Sequence, residues 1–217
     1  PDDPKDLIEK YNIKTKKVEI LGAIGLNLEE YSYCKTLLEK IRFIFIGRLL
    51  VEKGIYEYIE AAKMVKKDFQ DAEFVVLGGI DEENPGGLKK YELDKLLDDD
   101  VIIYPGHVKN VNEWIKNASV FVLPSYREGI PRSTQEAMAI GRAIITTDVP
   151  GCRETVVEGV NGFFIPPFRA DKLAIAMKKF IQNPSLIEKM GEESYKMAKN
   201  KFDAKKTNDK LLKILDI

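Results

Sequence analysis

IRFIFIGRLLVEKGIYEYIEAAKMVKKDFQDAEFVVLGG, residues 41–79, predicts a β-strand, an α-helix and a second β-strand in succession. Ile41–Gly47 is a nearly continuous apolar run, which is typical of a strand that is covered on both faces. Apolar side chains then recur with helical period, at Ile55, Tyr58, Ile59, Ala62, Val65 and Phe69. Glu73–Gly79 is the second apolar run. Such a strand–helix–strand unit indicates two parallel strands joined by a crossover helix.

The same alternation continues on both sides of this unit. We predict further strands in VEILGAIG from Val18 and in residues 101–106, 119–125, 143–148 and 162–167, and helices in residues 88–97, 111–116 and 133–140. From residue 171 onward the pattern is mostly helical. The fold class is therefore α/β, a Rossmann-like doubly wound parallel sheet with flanking helices, although the strand order does not follow from the pattern. In such sheets ligands bind beyond the carboxyl ends of the strands.

Composition excludes several classes of protein. The formal net charge of the 217 residues is −1, so we expect no nucleic-acid partner. Cys34 and Cys152 lie far apart, and no metal-ligand spacing or disulfide framework is present. The run of three aspartates, Asp98–Asp100, falls between a helix and a strand, and we interpret it as a solvated turn. No apolar run reaches the length of a membrane span and no signal peptide is visible, which favours a cytoplasmic location.

The loop after residues 41–47 carries two cations. Gly47 lets the chain leave the strand tightly, and Arg48 and Lys53 follow before the next helix. A guanidinium fork and a lysine point charge suit a diphosphate. An exposed basic turn without a ligand is the alternative, because surface arginines and lysines are common.

The loop YPGHVKN, residues 104–110, contains the single histidine of the chain, His107. Its backbone, with His107 and Val108, could face a nucleobase. One histidine cannot form a metal site with a second one, and a histidine in a surface loop without a function is the alternative.

EGIPRSTQEAMAIGRAIITTDVPGCRE, residues 128–154, holds two glutamates on either side of a Gly-Ile-Pro corner. If Pro131 is the first helical residue, the cap falls on Ile130, whose side chain accepts no hydrogen bond. The free N–H groups of the first turn could then hold an anion. Glu136 would point into the cleft and bind vicinal hydroxyl groups. The alternative is a capping box in which Ser133 caps the helix and Glu136 reaches back to its N–H.

Glu128 has two interpretations as well. It could bind a ligand hydroxyl, or it could be a loop carboxylate paired with Arg127 or Arg132, which contributes little to stability. A glycosidase-like pair with Glu136 is disfavoured, because no opposite wall places a scissile bond between the two carboxylates.

Four segments resemble the C-terminal, donor-binding domain of retaining family-4 glycosyltransferases with the GT-B fold. They are GRLLVEKGI, YPGHV, PSYREGIPRSTQEAMAIGRAIITTDVPGCRETV and GVNGFFIPP, in the order in which the family has them. Glu128 and Glu136 match the E-x7-E pattern of that family, and GAIGLNLEEY looks like its GSGVD-type segment. By this resemblance, residues 1–16 are a remnant of an interdomain crossover and residues 17–217 a nucleotide-sugar-binding domain with C-terminal helices.

The resemblance implies a role for each site residue. Arg48 and Lys53 would bind the donor diphosphate and stabilise the departing charge, and Glu128 would contact the transferred sugar. The backbone of Gly129 and Ile130 would lie near the phosphates. Glu136 would hold the ribose, and the base would lie against His107 and Val108. No metal or other cofactor is implied, because fixed cations and backbone amides can stabilise the leaving group.

The resemblance also implies partners. The donor would be a UDP-sugar, a UDP-N-acetylhexosamine or UDP-hexose, used by a bacterial hexosyltransferase of surface-glycan or protein-glycosylation type. The acceptor would be a glycan, including one linked to polyprenyl diphosphate, and the parent enzyme could lie on the inner face of the membrane. We expect the chain to need the family's N-terminal acceptor-binding domain and to be inactive alone.

Three other functions are weighed against this one. A non-catalytic nucleotide-binding module would keep Arg48, Lys53 and Glu136, and it stays open. A dinucleotide-dependent oxidoreductase needs a G-x-G-x-x-G turn, which GAIGLN does not contain. A nucleotide-sugar epimerase of GT-B shape is disfavoured because it would lack the E-x7-E spacing.

Overall fold

The structure, a computed structural model, describes residues 8–15, 18–19, 21–36 and 39–215. Within them, six strands form one sheet in the order β3-β2-β1-β4-β5-β6, and every pairing is parallel. The strands are β1 Arg42–Ile46, β2 Glu73–Leu77, β3 Ile102–Gly106, β4 Val120–Leu123, β5 Ala143–Thr147 and β6 Gly162–Ile165. The predicted fold class is confirmed, and each of these six strands falls inside a predicted run.

Helices cover both faces of this sheet. Their bounds are α1 Ile55–Lys66, α2 Lys90–Leu96, α3 Val111–Lys116, α4 Arg132–Ile140, α5 Pro150–Arg153, α6 Ala170–Gln182, α7 Ser185–Lys201 and α8 Ala204–Ile214. Helix α1 packs against α6, and α4 packs against α7 and α3. Phe43, Ile44 and Phe45 are consecutive and all fully buried, which requires cover on both faces of β1.

The strand order reverses between β1 and β4, which are neighbours in the sheet. At such a switch point the loops after the two strands diverge and leave a crevice. At the base of this crevice, the loop after β1 and the loop after β4 contact each other. Gly54 has φ +74°, and a Cβ at this position would overlap the carbonyl oxygen of Pro124. The backbone N–H of Tyr126 donates to the carbonyl of Glu52 over 2.8 Å. The short 3-10 turn Val51–Lys53 therefore lies directly beside the loop that follows β4.

A buried arginine, Arg142, holds the segment around Cys34 against the ends of α3 and α4. The guanidinium of Arg142 is fully buried and donates to the carbonyls of Ala118, at 2.7 Å, and Ile140, at 3.2 Å. It also donates to the carbonyl of Cys34. These contacts join the ends of α3 and α4 to the chain around Cys34, and so hold the nearby Tyr31 beside α4.

The predicted strand from Val18 is wrong for the residues that the structure describes. Residues 18–19 and 21–25 form no strand. Leu26 instead makes an isolated bridge with Asp203, and its N–H donates to the Phe202 carbonyl over 2.8 Å. The Leu26 carbonyl in turn accepts from the N–H of Ala204 over 2.9 Å, so the residue directly after the predicted strand is paired with the α7–α8 connection and not with the sheet. Residues 1–7, 16–17 and 20 lie outside the described residues, and the predicted domain boundary between residues 16 and 17 stays a prediction.

Two other expectations concern the rest of the surface. Asp98–Asp100 forms an exposed turn before β3, at the amino edge of the sheet, with Asp99 paired to Lys63 over 2.7 Å. Within the described ranges, none of the helices has both the length and the apolar content needed to span a bilayer.

Candidate functional site

An ion pair between Lys53 and Glu128 occupies the switch point. The Lys53 Nζ lies 2.5 Å from Glu128 Oε1, and the Ser125 hydroxyl donates to the same oxygen over 2.8 Å. Lys53 ends the 3-10 turn after β1, and Glu128 lies in the loop after β4. Their side chains are 20% and 8% exposed, so the pair is largely shielded from solvent. Glu128 therefore pairs with Lys53, and neither Arg127 nor Arg132 takes the place expected for a simple loop ion pair.

An open cavity of about 650 Å³ lies over this pair. Its wall consists of residues from three loops at the carboxyl edge of the sheet: Glu52, Lys53, Tyr126, Arg127, Glu128, Gly129, Val149 and Pro150. The third loop leads into α5, where a Cβ on Gly151 would overlap the carbonyl oxygens of Glu128 and Gly129. This close approach fixes the backbone of residues 128–129 against α5, so the cavity has a rigid floor.

Glu136 lies on the first turns of α4 and is held by two donors. The Tyr31 hydroxyl donates to Glu136 Oε1 over 3.0 Å, and Arg132 Nε donates to the same oxygen over 3.1 Å. The Glu136 side chain is 16% exposed. Within the part of the chain that the structure describes, its second oxygen, Oε2, has no partner. The carboxylate is thus oriented through Oε1.

Burial and charge around Glu136 shift the pKa values of its two partners, Tyr31 and Arg132. Burial raises the pKa of the Tyr31 hydroxyl, and the neighbouring Glu136 carboxylate raises it further. The hydrogen bond to Glu136 also raises the pKa of Arg132. Both shifts favour a neutral Tyr31 hydroxyl and a charged Arg132 guanidinium at neutral pH.

The start of α4 differs by one residue from the prediction. The helix begins at Arg132, and Pro131 is the cap, with φ −65° and the extended ψ of 125°. Pro131 is not helical because its ψ lies outside the helical range. The predicted consequence is unchanged, since the Pro131 ring, like the side chain of Ile130, accepts no hydrogen bond.

The capping box is contradicted. Ser133 lies inside the first turn of α4 and is not its cap. The Glu136 carboxylate binds Tyr31 and Arg132 and does not reach back to the Ser133 N–H. The amide of Gln135 donates from its side chain to the Ile130 carbonyl over 3.2 Å, which braces the corner. The first-turn N–H groups of α4 are thus left without a side-chain acceptor from the capping residue.

Arg48 does not enter the cavity. Its guanidinium is paired with Asp81, in the connection after β2, at 3.1 Å, and the Arg48 side chain is 61% exposed. Gly47 directly follows β1, and its N–H donates to the Leu77 carbonyl over 3.0 Å. The structure places both residues at the expected edge of the sheet but does not bring Arg48 together with Lys53 and Glu128.

His107 and Val108 follow β3, at the same carboxyl edge. His107 is exposed, and Val108 is half-buried against the core. Two strands, β2 and β1, separate β3 from β4, which corresponds to three strand spacings or roughly 14 Å. A single ligand that contacts both His107 and Glu128 must therefore be elongated.

Two residues of the site were not predicted. Ser125 directly follows a buried strand as an isolated polar residue, and this position was a usable signal. Tyr31 gave no comparable signal, because its partner Glu136 is 105 positions away in the chain. Among the described residues, no group of three or more histidine, cysteine, aspartate or glutamate side chains forms a possible metal site.

Residues 29–197 match the family model described as "Glycosyl transferases group 1". The chain belongs to this family. The matched range contains Tyr31, Lys53, Glu128 and Glu136, and so the entire site described above. The family assignment agrees with the sheet order, which is that of the Rossmann-like half of a GT-B glycosyltransferase.

Two relatives and one solved structure illustrate the similarity. The chain is 29% identical over 203 residues to the capsular polysaccharide biosynthesis glycosyltransferase CapM of Staphylococcus aureus, covering 88% of the chain and 53% of CapM. It is 29% identical over 194 residues to the N,N'-diacetylbacillosaminyl-diphospho-undecaprenol alpha-1,3-N-acetylgalactosaminyltransferase of Campylobacter jejuni, covering 83% and 50%. The pneumococcal O-GlcNAc transferase GtfA, solved with UDP and GlcNAc, superposes with a TM-score of 0.74 at 24% identity, covering 98% and 42%. The chain thus spans about half the length of the relatives it matches.

Proposed function

We propose that this chain is the donor-binding part of a retaining hexosyltransferase that uses a UDP-sugar. The observation that carries the proposal is the shielded Lys53–Glu128 pair at the switch point, beside the uncapped first turn of α4. This arrangement places a fixed cation and a carboxylate in one open cavity, and α4, whose cap offers no side-chain acceptor, begins three residues beyond Gly129 of the cavity wall. Those groups match the diphosphate and the sugar of a nucleotide-sugar.

The diphosphate would bind between Lys53 and the corner of residues 129–130. A helix N-terminus and a lysine both attract a phosphate, and they act without a metal ion. When the bond between the anomeric carbon and the diphosphate oxygen breaks, negative charge grows on that oxygen. Lys53 and the backbone N–H groups would stabilise this charge. Arg48 would assist only if a ligand draws it away from Asp81.

Glu128 would change partner when the donor binds. Without ligand, its Oε1 occupies the Lys53 ammonium. A diphosphate competes for the same ammonium, which releases the carboxylate to accept hydrogen bonds from the sugar hydroxyls. The acceptor hydroxyl would then attack the anomeric carbon on the side from which the diphosphate leaves and pass its proton to the departing diphosphate oxygen, so that the anomeric configuration is retained.

Glu136 would bind the ribose through its unpartnered Oε2, which vicinal hydroxyl groups can reach as donors. The base would extend toward the backbone of residues 107–108, at the β3 end of the sheet. A nucleoside diphosphate that extends in this direction has to bridge the roughly 14 Å between β3 and β4. The elongated shape of a nucleoside diphosphate fits a site spread over these loops.

The donor and acceptor are proposed by analogy with the relatives. The name of the Campylobacter jejuni relative describes transfer of N-acetylgalactosamine to N,N'-diacetylbacillosaminyl-diphospho-undecaprenol, and GtfA was solved with UDP and GlcNAc. We propose a UDP-N-acetylhexosamine or UDP-hexose as donor and a glycan, including one on a polyprenyl diphosphate, as acceptor. The second half of a GT-B enzyme would bind that acceptor, so the chain alone should bind donor without transferring sugar. A parent enzyme with such an acceptor would work peripherally at the inner face of the membrane.

The test is a calorimetric and thermal-shift titration with UDP, GDP and ADP. Ligand binding to the folded state raises its stability by RT ln(1 + [L]/Kd). We expect UDP to bind, Glu136→Gln to weaken it at least tenfold, and Glu60→Gln, a change at an exposed glutamate of α1, to leave it unchanged. Absence of binding by all three nucleotides at millimolar concentration would contradict the proposal. Transfer of sugar by the chain alone would contradict its dependence on a second domain.

A further inference from the structure

Phe168 has a backbone conformation that a phenylalanine rarely adopts. It lies in the connection between β6 and α6 and has φ +61°, in the left-handed region. For a bulky side chain this conformation is a genuine outlier, whereas glycine or asparagine adopts it readily. A position that favours glycine therefore carries a large aromatic ring, and the ring must be retained for another reason.

Core packing does not explain the ring. Phe168 is 64% exposed, so most of its apolar surface stays in contact with water. Among the described residues, its aromatic neighbour is Tyr126, with the two ring centroids 3.9 Å apart and the ring planes at 38°. A strained, exposed aromatic residue at a fixed contact is typical of a ligand-binding surface, where strain is tolerated because the structure around it imposes the geometry.

Tyr126 connects this ring to the candidate site. It lines the cavity that also contains Lys53 and Glu128. Its hydroxyl donates to Glu57 Oε1 over 2.6 Å, and its backbone N–H is bonded to Glu52. Both ends of Tyr126 are therefore anchored to α1 and the turn before it. Phe168 contacts the ring of Tyr126, which lines the cavity, and we call these two rings the aromatic rim.

We propose that the aromatic rim is a subsite for a pyranose ring. A pyranose has one face of C–H groups, and the electron-rich face of an aromatic ring attracts such hydrogens. Its hydroxyl groups would at the same time reach the charged groups of the adjoining wall, Glu128 and Arg127. An apolar surface beside a few polar groups is the usual composition of a small-molecule site.

This inference rests on the proposed function, which supplies the pyranose. The pyranose is either the donor sugar or a sugar of the acceptor glycan. The two sources share the same chemistry at the aromatic rim. They differ in the probe that detects them, a UDP-sugar in the first case and a free oligosaccharide in the second.

The experiment uses Phe168→Gly and Phe168→Asn, which remove the ring and suit the left-handed backbone. Calorimetry compares UDP with UDP-glucose, UDP-N-acetylglucosamine and UDP-N-acetylgalactosamine, and saturation-transfer NMR measures maltotriose and chitotriose. We expect both variants to weaken at least one pyranose-bearing probe by roughly two- to tenfold, the range of an aromatic contact. UDP itself should bind as to the wild type. Tyr91→Ala, which removes an exposed ring on α2, is the matched control and should change nothing.

Three results would overturn the inference. One is unchanged binding of every pyranose-bearing probe by both variants. Another is a loss of affinity for UDP as large as the loss for the UDP-sugars, which would place a nucleobase or phosphate on the aromatic rim. The third is a clear fall in the unfolding temperature of both variants, because the ring would then be structural. If wild-type protein binds no UDP, the proposed function fails separately, and the trisaccharide measurement still tests the aromatic rim.

Discussion

The hydroxyl of Tyr31 donates a 3.0 Å hydrogen bond to Glu136 Oε1, the oxygen that Arg132 also contacts. One carboxylate oxygen is thereby held by two side chains of the protein. Under the proposed function, Tyr31 would be a positioning residue for a carboxylate that binds the ribose, and this role can be tested without changing the carboxylate itself.

Tyr31→Phe should weaken UDP binding by roughly two- to tenfold, because one hydrogen bond that orients Glu136 is lost. Calorimetry with UDP and 2′-deoxy-UDP measures the effect as a coupling between Tyr31 and the ribose hydroxyl. The loss caused by removing the 2′-hydroxyl should be smaller in the variant than in the wild type. Tyr91→Phe serves as the control. Equal losses in both proteins would mean that Tyr31 does not act through the ribose.

Lys53→Met should destabilise the folded chain by about 1–3 kcal/mol, because it leaves the mostly buried Glu128 carboxylate without its cation. Adding Glu128→Gln to this variant should restore most of the stability, since a neutral amide needs no counter-charge. Urea denaturation of the two variants and the wild type measures both changes. If the Lys53→Met variant were as stable as the wild type, the Lys53–Glu128 ion pair would make no net contribution to the free energy of unfolding.

Gly54→Ala should lower the free energy of unfolding by about 2 kcal/mol or more, because the added Cβ meets both the left-handed φ and the Pro124 carbonyl. Gly79→Ala is a matched control, since no atom lies within 4 Å of a Cβ at that position. The control should stay within about 0.5 kcal/mol of the wild type. Equal stability of the two variants would contradict the close contact between the loops after β1 and β4.

Cys34 should react with maleimide in the folded protein and Cys152 should not. Cys152 is fully buried, and burial raises the pKa of its thiol, so less of the reactive thiolate exists at pH 7–8. Cys34 is half-buried. Mass spectrometry should show one label without denaturant and two in urea. Fast double labelling of the native protein would indicate opening of the region around α5.

The fold class could be predicted from the sequence because the apolar runs of the strands are long and unambiguous. A strand such as β1, buried on both faces, leaves a continuous apolar signature. The segment from Val18 has a similar composition, but its described residues form no strand, and Leu26 directly after it pairs with the α7–α8 connection. Tertiary contacts decided its conformation, and no local pattern carries that information.

The candidate site was predictable to the extent that it consists of loops after strands. Lys53 and Glu128 follow neighbouring strands, so the sheet brings them together. Arg48 follows the same strand as Lys53 but turns to Asp81, because side-chain direction depends on the path of each loop. Phe168 was overlooked for a related reason, since its unusual φ is a property of the folded connection and not of its neighbours in sequence.

The switch point also determines when the binding cavity can exist during synthesis. A ribosome releases β1, β2 and β3 first, and these strands can pair with one another while the partner on the other side of β1 is still missing. Until β4 arrives, Lys53 has no carboxylate opposite it and one edge of β1 is unpaired. During that interval the unpaired edge of β1 presents backbone N–H and C=O groups with which another chain can pair.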